Sequence, residues 1–370
     1  MSASTPSDAS PVANAAGDAP SLPVAAGTRA NNENNFDLIR LLAATQVAVK
    51  HCMVHLDVDS RYIDLLSIFP GVPIFFFISG YLIFQSFRNS GNVARFSLNR
   101  LLRIYPALVA CFVFSVGVVL FSGFLKPEQL VSKAFLAWAA AQLTIVQIYN
   151  PEFLRGFGVG VLNGSLWTIS VELQFYLLTP LLAWLTLRHH WAWAVVLALG
   201  AAANIAMTMG PDGSFLAKLF SVSSPPWFYM FVLGAWLSDR PDWQARVRSI
   251  GVWPALSVYL AVAALGWLFG WPVTGNEINP VSYLFLAAFI FTLAYSRPEL
   301  AGRILRRNDI SYGVYIYHMP IVNWFVFKHW LGRPGFVAAA MLATFTLAAL
   351  SWFVVERPAL RRKHLTLRQY

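Results

Sequence analysis

The sequence predicts an all-α polytopic membrane protein, a bundle of about ten transmembrane helices with one further re-entrant or interfacial helix. Three observations predict it. Of 370 residues, 57% are hydrophobic and only 12% charged, with a mean hydropathy of +0.56, a balance far from that of soluble domains. Apolar segments close to the roughly 20 residues that a bilayer requires recur along the chain. The basic residues fall mostly in short loops between those segments, as in proteins that obey the positive-inside rule. That distribution accounts for the net charge of +10, and no nucleic-acid partner is expected.

Taken in order, residues 1–33 are rich in Ala, Ser, Pro, Asp, Asn and Gly and have neither a basic n-region nor an apolar h-region. They read as a disordered cytoplasmic tail and not as a cleaved signal peptide. A membrane domain over 34–358 follows, and 359–370 form a basic cytoplasmic tail. Within the membrane domain, spans are expected near 36–56, 70–87, 104–124, 165–187, 191–209, 215–237, 250–270, 281–296, 310–330 and 334–355. The run AFLAWAAAQLTIVQIY at 134–149 is the doubtful one, and charge decides its reading. If it does not cross, the inner side collects Arg29, Arg88, Arg95, Arg100, Arg103, Arg188, Arg240, Arg246, Arg248, Arg297, Arg303, Arg306, Arg307, Arg357, Arg361, Arg362, Lys363 and Arg368. The outer side keeps only Arg61, Lys126, Lys133, Arg155, Lys218, Lys328 and Arg333. Letting it cross would reverse Arg188 and every later cluster. It therefore reads as re-entrant or interfacial, and both termini are cytoplasmic. Cys52 and Cys111 lie within apolar runs and read as small hydrophobes, not as a disulfide.

The chain shows no internal repeat, no GxxxxGK[ST], no GxGxxG, no CxxC and no HExxH, so ATP-driven pumping and zinc hydrolysis lose their usual support and no metal is expected. Polar residues inside helices remain, and each marks a candidate site because burying it costs free energy. In RLLAATQVAVKH, Arg40 and His51 are eleven residues apart, which at about 100° per residue puts them on one helix face with roughly 16 Å of rise between them. Arg40 also fits a snorkelling residue paired with Asp37 at i−3. In the loop after FFFISGYLI, Arg100 and Arg103 stand at i, i+3 just before Ile104-Tyr105-Pro106; such paired guanidinium groups suit a polyphosphate. Ser79-Gly80 permits close helix approach. In GSLWTISVELQFYLLTP, Glu172 is expected at about the depth of His51, where it either orients or polarises the histidine or pairs with an arginine. Trp167, Phe175 and Tyr176 fit belt or packing aromatics. In DISYGVYIYHMP, Asp309 or Ser311 caps the helix, and His318, with Tyr315 at i−3, is expected one to two turns nearer the cytoplasm than His51.

FDLIRLLAATQVAVKH, FFFISGYLI, RFSLNRLLRIYP, GSLWTISVELQFYLLTP, SYGVYIYHMP and VVERP occur in the order found in the acyltransferase 3 family of membrane acyltransferases, which the chain resembles over about 36–358. The resemblance implies a membrane O-acyltransferase of the cytoplasmic (inner) membrane. It implies an acyl group, most often acetyl, taken from cytoplasmic acyl-CoA and delivered to a hydroxyl of an extracytoplasmic or lipid-linked glycan. Acetyl-CoA is then a donor substrate, and no cofactor is held permanently. The site residues implied are His51 and Glu172 for catalysis, Arg40, Arg100, Arg103 and His318 for acyl-CoA, and Ser79, Trp167 and Tyr315 along the cavity. Leu173 and Asn99 depart from the family pattern, where a second acid and a further arginine are common. An extended pantetheine arm, of order 15–20 Å, matches the rise from Arg40 to His51. His51 is then the general base on the acceptor hydroxyl, or takes the acyl group itself. Acylation of a small molecule or lipid stays open as an alternative. A secondary transporter is a rival class, but the inverted repeats that it would show are not found.

Overall fold

The computed structural model describes residues 34–58, 62–210, 213–306 and 308–366. The expected tail 1–33 with Arg29, and Arg61, Arg307 and residues 367–370, lie outside the described residues. Among the described residues every regular element is helical. The α-helices are α1 (Phe36–His55), α2 (Ile63–Ser67), α3 (Gly71–Ser90), α4 (Val93–Phe121), α5 (Lys133–Gln142), α6 (Trp167–Arg188), α7 (Ala192–Met209), α8 (Phe215–Ser221), α9 (Pro225–Ser238), α10 (Pro241–Ile250), α11 (Val252–Leu268), α12 (Pro280–Ser296), α13 (Leu300–Leu305), α14 (Ser311–Phe327), α15 (Pro334–Ser351) and α16 (Arg357–Thr366). A five-residue π-turn, Trp352–Glu356, joins the last two.

Each expected span is occupied by helix, with three corrections. The span drawn at 104–124 starts eleven residues earlier: Asn92 caps α4 by accepting the amide of Arg95 at 2.7 Å, so Arg95, Arg100 and Arg103 lie on a helix and not in a loop. The span at 215–237 is two helices. Pro225 and Pro226 cannot donate to the preceding turn, and the Ser221 carbonyl so left free accepts from Trp227 Nε1 at 2.8 Å. The run 134–149 is helical only to Gln142; ten residues rise about 15 Å, half the thickness of a hydrocarbon core. Its Phe135 and Trp138 pack with Val119, Leu125, Leu154, Phe157 and Leu162 in a separate apolar cluster at the end of α4.

Among the described residues five helical stretches are long and apolar enough to cross a bilayer: Leu65–Ser90, Val93–Phe121, Gly164–Arg188, Ala192–Met209 and Pro334–Arg361. A sixth is added if α10 and α11, bent by 86° at Gly251, form one span. The expected count of about ten needs α1, α9, α12 and α14 as well. α1 has 20 residues but carries Asp37, Arg40 and Lys50, and α9, α12 and α14 have 14, 17 and 17 residues. The chain is an all-helical membrane protein.

Close packing orients the helices that carry polar groups. A Cβ on Gly80 would fall 1.9 Å from the carbonyl oxygen of Phe231, and one on Gly234 would fall 2.1 Å from that of Phe77. α3 and α9 therefore meet backbone to backbone, as small residues allow between membrane helices. At one end of the bundle Arg88 pairs with Asp239 at 2.5 Å and Arg240 lies 3.4 Å from His190. At the same end Asn35, just before α1, donates to the carbonyl of Arg297 at 2.6 Å. The ends of α3, α6, α9 and α12 and the start of α1 thus share one arginine-rich end. At the other, Leu56 after α1 accepts the Gly332 amide at 2.8 Å.

Candidate active site

The site is built where α1 lies against α14, two helices running in the same direction. Arg40 Nη1 donates to Asp309 Oδ2 at 2.9 Å near the start of both, and His51 Nδ1 lies 2.8 Å from His318 Nε2 near the end of α1. The two imidazole rings are stacked, 5.0 Å apart at 29°. Arg40 and His51 thus face the same partner, as their eleven-residue spacing requires. His318 is not a turn or two below His51: the pairing puts them at one level.

Neither Asp309 nor Ser311 is the N-cap of α14: that position is Ile310, with no side-chain cap bond, and Asp309, just before it, gathers donors. Its carboxylate accepts the guanidinium of Arg40, that of Arg103, the Ser311 amide at 3.1 Å and the Ser311 hydroxyl at 2.5 Å. Asp37, the partner expected for Arg40, is 4.0 Å away. The expected arginine pair therefore divides. Arg103 is neutralised by a buried carboxylate, whereas Arg100 belongs to no ion pair among the described residues. Arg100 donates to Ser86 Oγ at 3.0 Å, lies about 6 Å from the ring centres of Phe96 and Tyr176, and leaves its buried Nε without a partner.

Two cavities lie between these ends. The one at the arginine end is walled by Arg40, Arg100, Arg103, Ser79, Glu172 and Tyr176, among others. The second is walled by Val72, Phe75, Phe76, Thr168, Ile169 and Tyr315, among others. Arg40, Glu172 and Tyr312 line both, so these three side chains stand at the waist between the two cavities. Beyond Tyr315, whose ring packs edge-on against His318 at 5.9 Å, stand the two histidines.

Of the residues expected along the cavity, Ser79 and Tyr315 line it. Trp167 does not: its ring packs on Trp227 at 5.4 Å, and the next residue, Thr168, takes its place by donating to Tyr315 Oη at 2.8 Å. Glu172, expected beside His51, makes no hydrogen bond to it. Its Oε1 accepts from Tyr176 Oη at 2.7 Å and lies 3.5 Å from Ser79 Oγ. Among the described residues no group of three or more His, Cys, Asp or Glu side chains is placed to hold a metal ion.

The sequence reading missed Asn163. Pro320 inside α14 has no amide, so the carbonyl of Ile316 lacks its i+4 donor. Asn163 Nδ2 supplies one at 2.9 Å and Cys111 Sγ another at 3.3 Å. Ser165 donates to Asn163 Oδ1 at 2.7 Å. The turn bearing His318 is fixed by residues 153 and 205 positions from Ile316. Its signal was the dipeptide Met319-Pro320 directly after the histidine, which marks a carbonyl in need of an outside donor.

The site thus sets a half-buried His51 against a buried His318 at one end of α1, and the Arg40, Arg103 and Asp309 cluster with Arg100 at the other, in an all-helical membrane bundle. Residues 33–353 match the family model described as an acyltransferase domain. The chain belongs to that family, the acyltransferase 3 family, and is a membrane O-acyltransferase. It is 33% identical to nodulation protein 10 of Rhizobium leguminosarum bv. viciae over 354 residues, covering 89% of this chain and 94% of that protein. To the O-acetyl transferase of Shigella phage Sf6 it is 28% identical, covering 90% and 97%. To peptidoglycan O-acetyltransferase OatA of Listeria monocytogenes it is 26% identical, covering 78% of this chain but 51% of that protein. No solved structure matches the chain.

Proposed function

We propose that this protein transfers an acyl group, acetyl above all, from acyl-CoA bound at the cytoplasmic face to a hydroxyl of an extracytoplasmic or membrane-associated glycan. The arrangement along α1 carries the reading: guanidinium groups at one end of two adjoining cavities and, beyond Tyr315 past the other, an imidazole pair, with roughly 16 Å of helix rise from Arg40 to His51. That is the reach of a pantetheine arm. The name of the Listeria relative, a peptidoglycan O-acetyltransferase, supports a glycan as acceptor.

In the tautomer that this chemistry uses, His51 Nδ1–H donates to His318 Nε2 and His51 Nε2 keeps its lone pair. That nitrogen takes the proton of the acceptor hydroxyl as the oxygen attacks the thioester carbonyl. The C–S bond breaks, and the imidazolium returns the proton to the departing thiolate, so the products are the ester and free CoA. Arg100 is the first choice for the donor's phosphates, since Arg40 and Arg103 share Asp309. Arg100→Ala is expected to weaken acetyl-CoA binding by about 1.5–3 kcal/mol, the scale of a charged hydrogen bond. Isothermal titration in detergent measures it, and an unchanged dissociation constant removes the phosphate site.

The ten-span topology with both termini cytoplasmic belongs to the same proposal. The gathering of Arg88, Arg240 and the Arg297 backbone at the end where α1 begins supports it through the positive-inside rule. Both native cysteines are buried, so a single cysteine at His189, in the turn after α6, reports sidedness cleanly. Labelling only from the cytoplasmic face is expected. Labelling from outside would reverse every helix after α5.

A further inference from the structure

Glu172 stands apart from the reacting end of the site. On α6 it follows Thr168 by one turn and precedes Tyr176 by one turn, about 6 Å each way. Thr168 lines the cavity on the histidine side, Tyr176 the cavity on the arginine side, and Glu172 both. Tyr176 and Ser79 both address Oε1, and among the described residues nothing donates to the second carboxylate oxygen. No cation lies within ion-pair distance of Glu172 among the described residues; Arg40 lines both cavities with it and Arg100 and Arg103 the arginine-side one, and the rest of the nearby wall is largely Val72, Phe75, Phe76, Ile78, Leu82 and Ile169. A carboxylate in such surroundings is costly unless a donor reaches it, and the protein aims none at its free oxygen.

We infer that Glu172 is a donor-binding residue: its free oxygen accepts the N–H of one of the two secondary amides of the pantetheine arm as the arm passes the waist. This rests on the acyl-CoA reading above and replaces the expectation that Glu172 acts on His51. Tyr176 and Ser79 hold Oε1 so that the other oxygen presents to the cavity. The arm fits the place, because it is apolar along most of its length and offers N–H donors at fixed intervals between the phosphates and the thioester. The site thereby reads the donor in three separate parts, nucleotide at Arg100, arm at Glu172 and thioester at His51.

The test divides the donor accordingly. Binding of adenosine 3′,5′-bisphosphate, which has no arm, and of S-acetylpantetheine, which has no nucleotide, is measured by calorimetry on the detergent-purified full chain. Glu172→Ala is expected to weaken S-acetylpantetheine about 10- to 100-fold, the loss of one charge-assisted hydrogen bond, and to leave the bisphosphate within about twofold. Glu172→Gln keeps an acceptor without the charge and should weaken the arm ligand by about three- to tenfold. Retained bisphosphate binding reports an intact fold, and if the alanine variant does not fold the glutamine variant decides. Equal weakening of both ligands, or of neither, overturns the role of Glu172. Failure of the wild type to bind the bisphosphate at all would instead overturn the acyl-CoA reading.

Discussion

Replacing His51 by alanine or glutamine is expected to reduce acyl transfer by 10²–10⁴-fold or more, the range for loss of a general base, with acetyl-CoA binding nearly intact. The separation of effects follows from the geometry. His51 is at the far end of α1 from Arg40, and neither cavity wall includes it, so its removal leaves the donor's phosphates and arm in place. Glutamine can fill the space and hydrogen-bond to His318 but cannot carry a proton away. His318→Ala should lower kcat by a smaller factor, since His51 keeps its lone pair and loses only the partner that orients its ring. Steady-state kinetics beside a binding isotherm for each variant checks this. A raised KM with unchanged kcat in His51→Ala would place His51 in donor binding and not in chemistry.

Asp309→Ala is expected to cost about 3–5 kcal/mol of stability, the scale for breaking a buried ion pair by removing one partner. The carboxylate joins Arg40 of α1 to Arg103 of α4 at the start of α14, and without it two guanidinium groups are left together with no counter-charge at that junction. The melting temperature in detergent should fall steeply. Arg100→Ala, which removes a side chain outside the ion-pair set, should melt close to the wild type while losing donor affinity. If Asp309→Ala melts with the wild type, the triad does not hold the helices together and Arg103 is free to bind the donor beside Arg100.

What the sequence disclosed was what local periodicity and charge encode. The expected span 36–56 is α1 at Phe36–His55, and 281–296 is α12 at Pro280–Ser296, because apolar runs and Pro or Gly boundaries are local signals. The shared face of Arg40 and His51 was legible for the same reason: an eleven-residue spacing fixes an angle on any helix. The partners on that face were not. Asp309 lies 269 positions from Arg40 and His318 lies 267 from His51, and nothing local to α1 says which helix it will meet. For the same reason Asp37, the nearest acid in sequence, is only the more distant of two partners of Arg40, at 4.0 Å against 2.9 Å for Asp309, and depth alone does not say what Glu172 will face. The early start of α4 was concealed by its arginines. A basic, polar stretch reads as loop in a hydropathy pattern, although the Asn92 cap is a local signal for the start of a helix.

His51 acts here as the base for transfer of an acyl group from a CoA thioester to a hydroxyl. The most direct measurement is transfer of radiolabelled acetyl from acetyl-CoA, by wild-type protein and by His51→Ala purified in detergent, to a glycan acceptor such as a peptidoglycan fragment. Wild-type protein is expected to release free CoA and label the acceptor as a base-labile ester, with His51→Ala binding acetyl-CoA but giving neither product. Equal labelling by His51→Ala would contradict the mechanism, and acetyl-CoA left unbound and uncleaved by the wild type would contradict the donor.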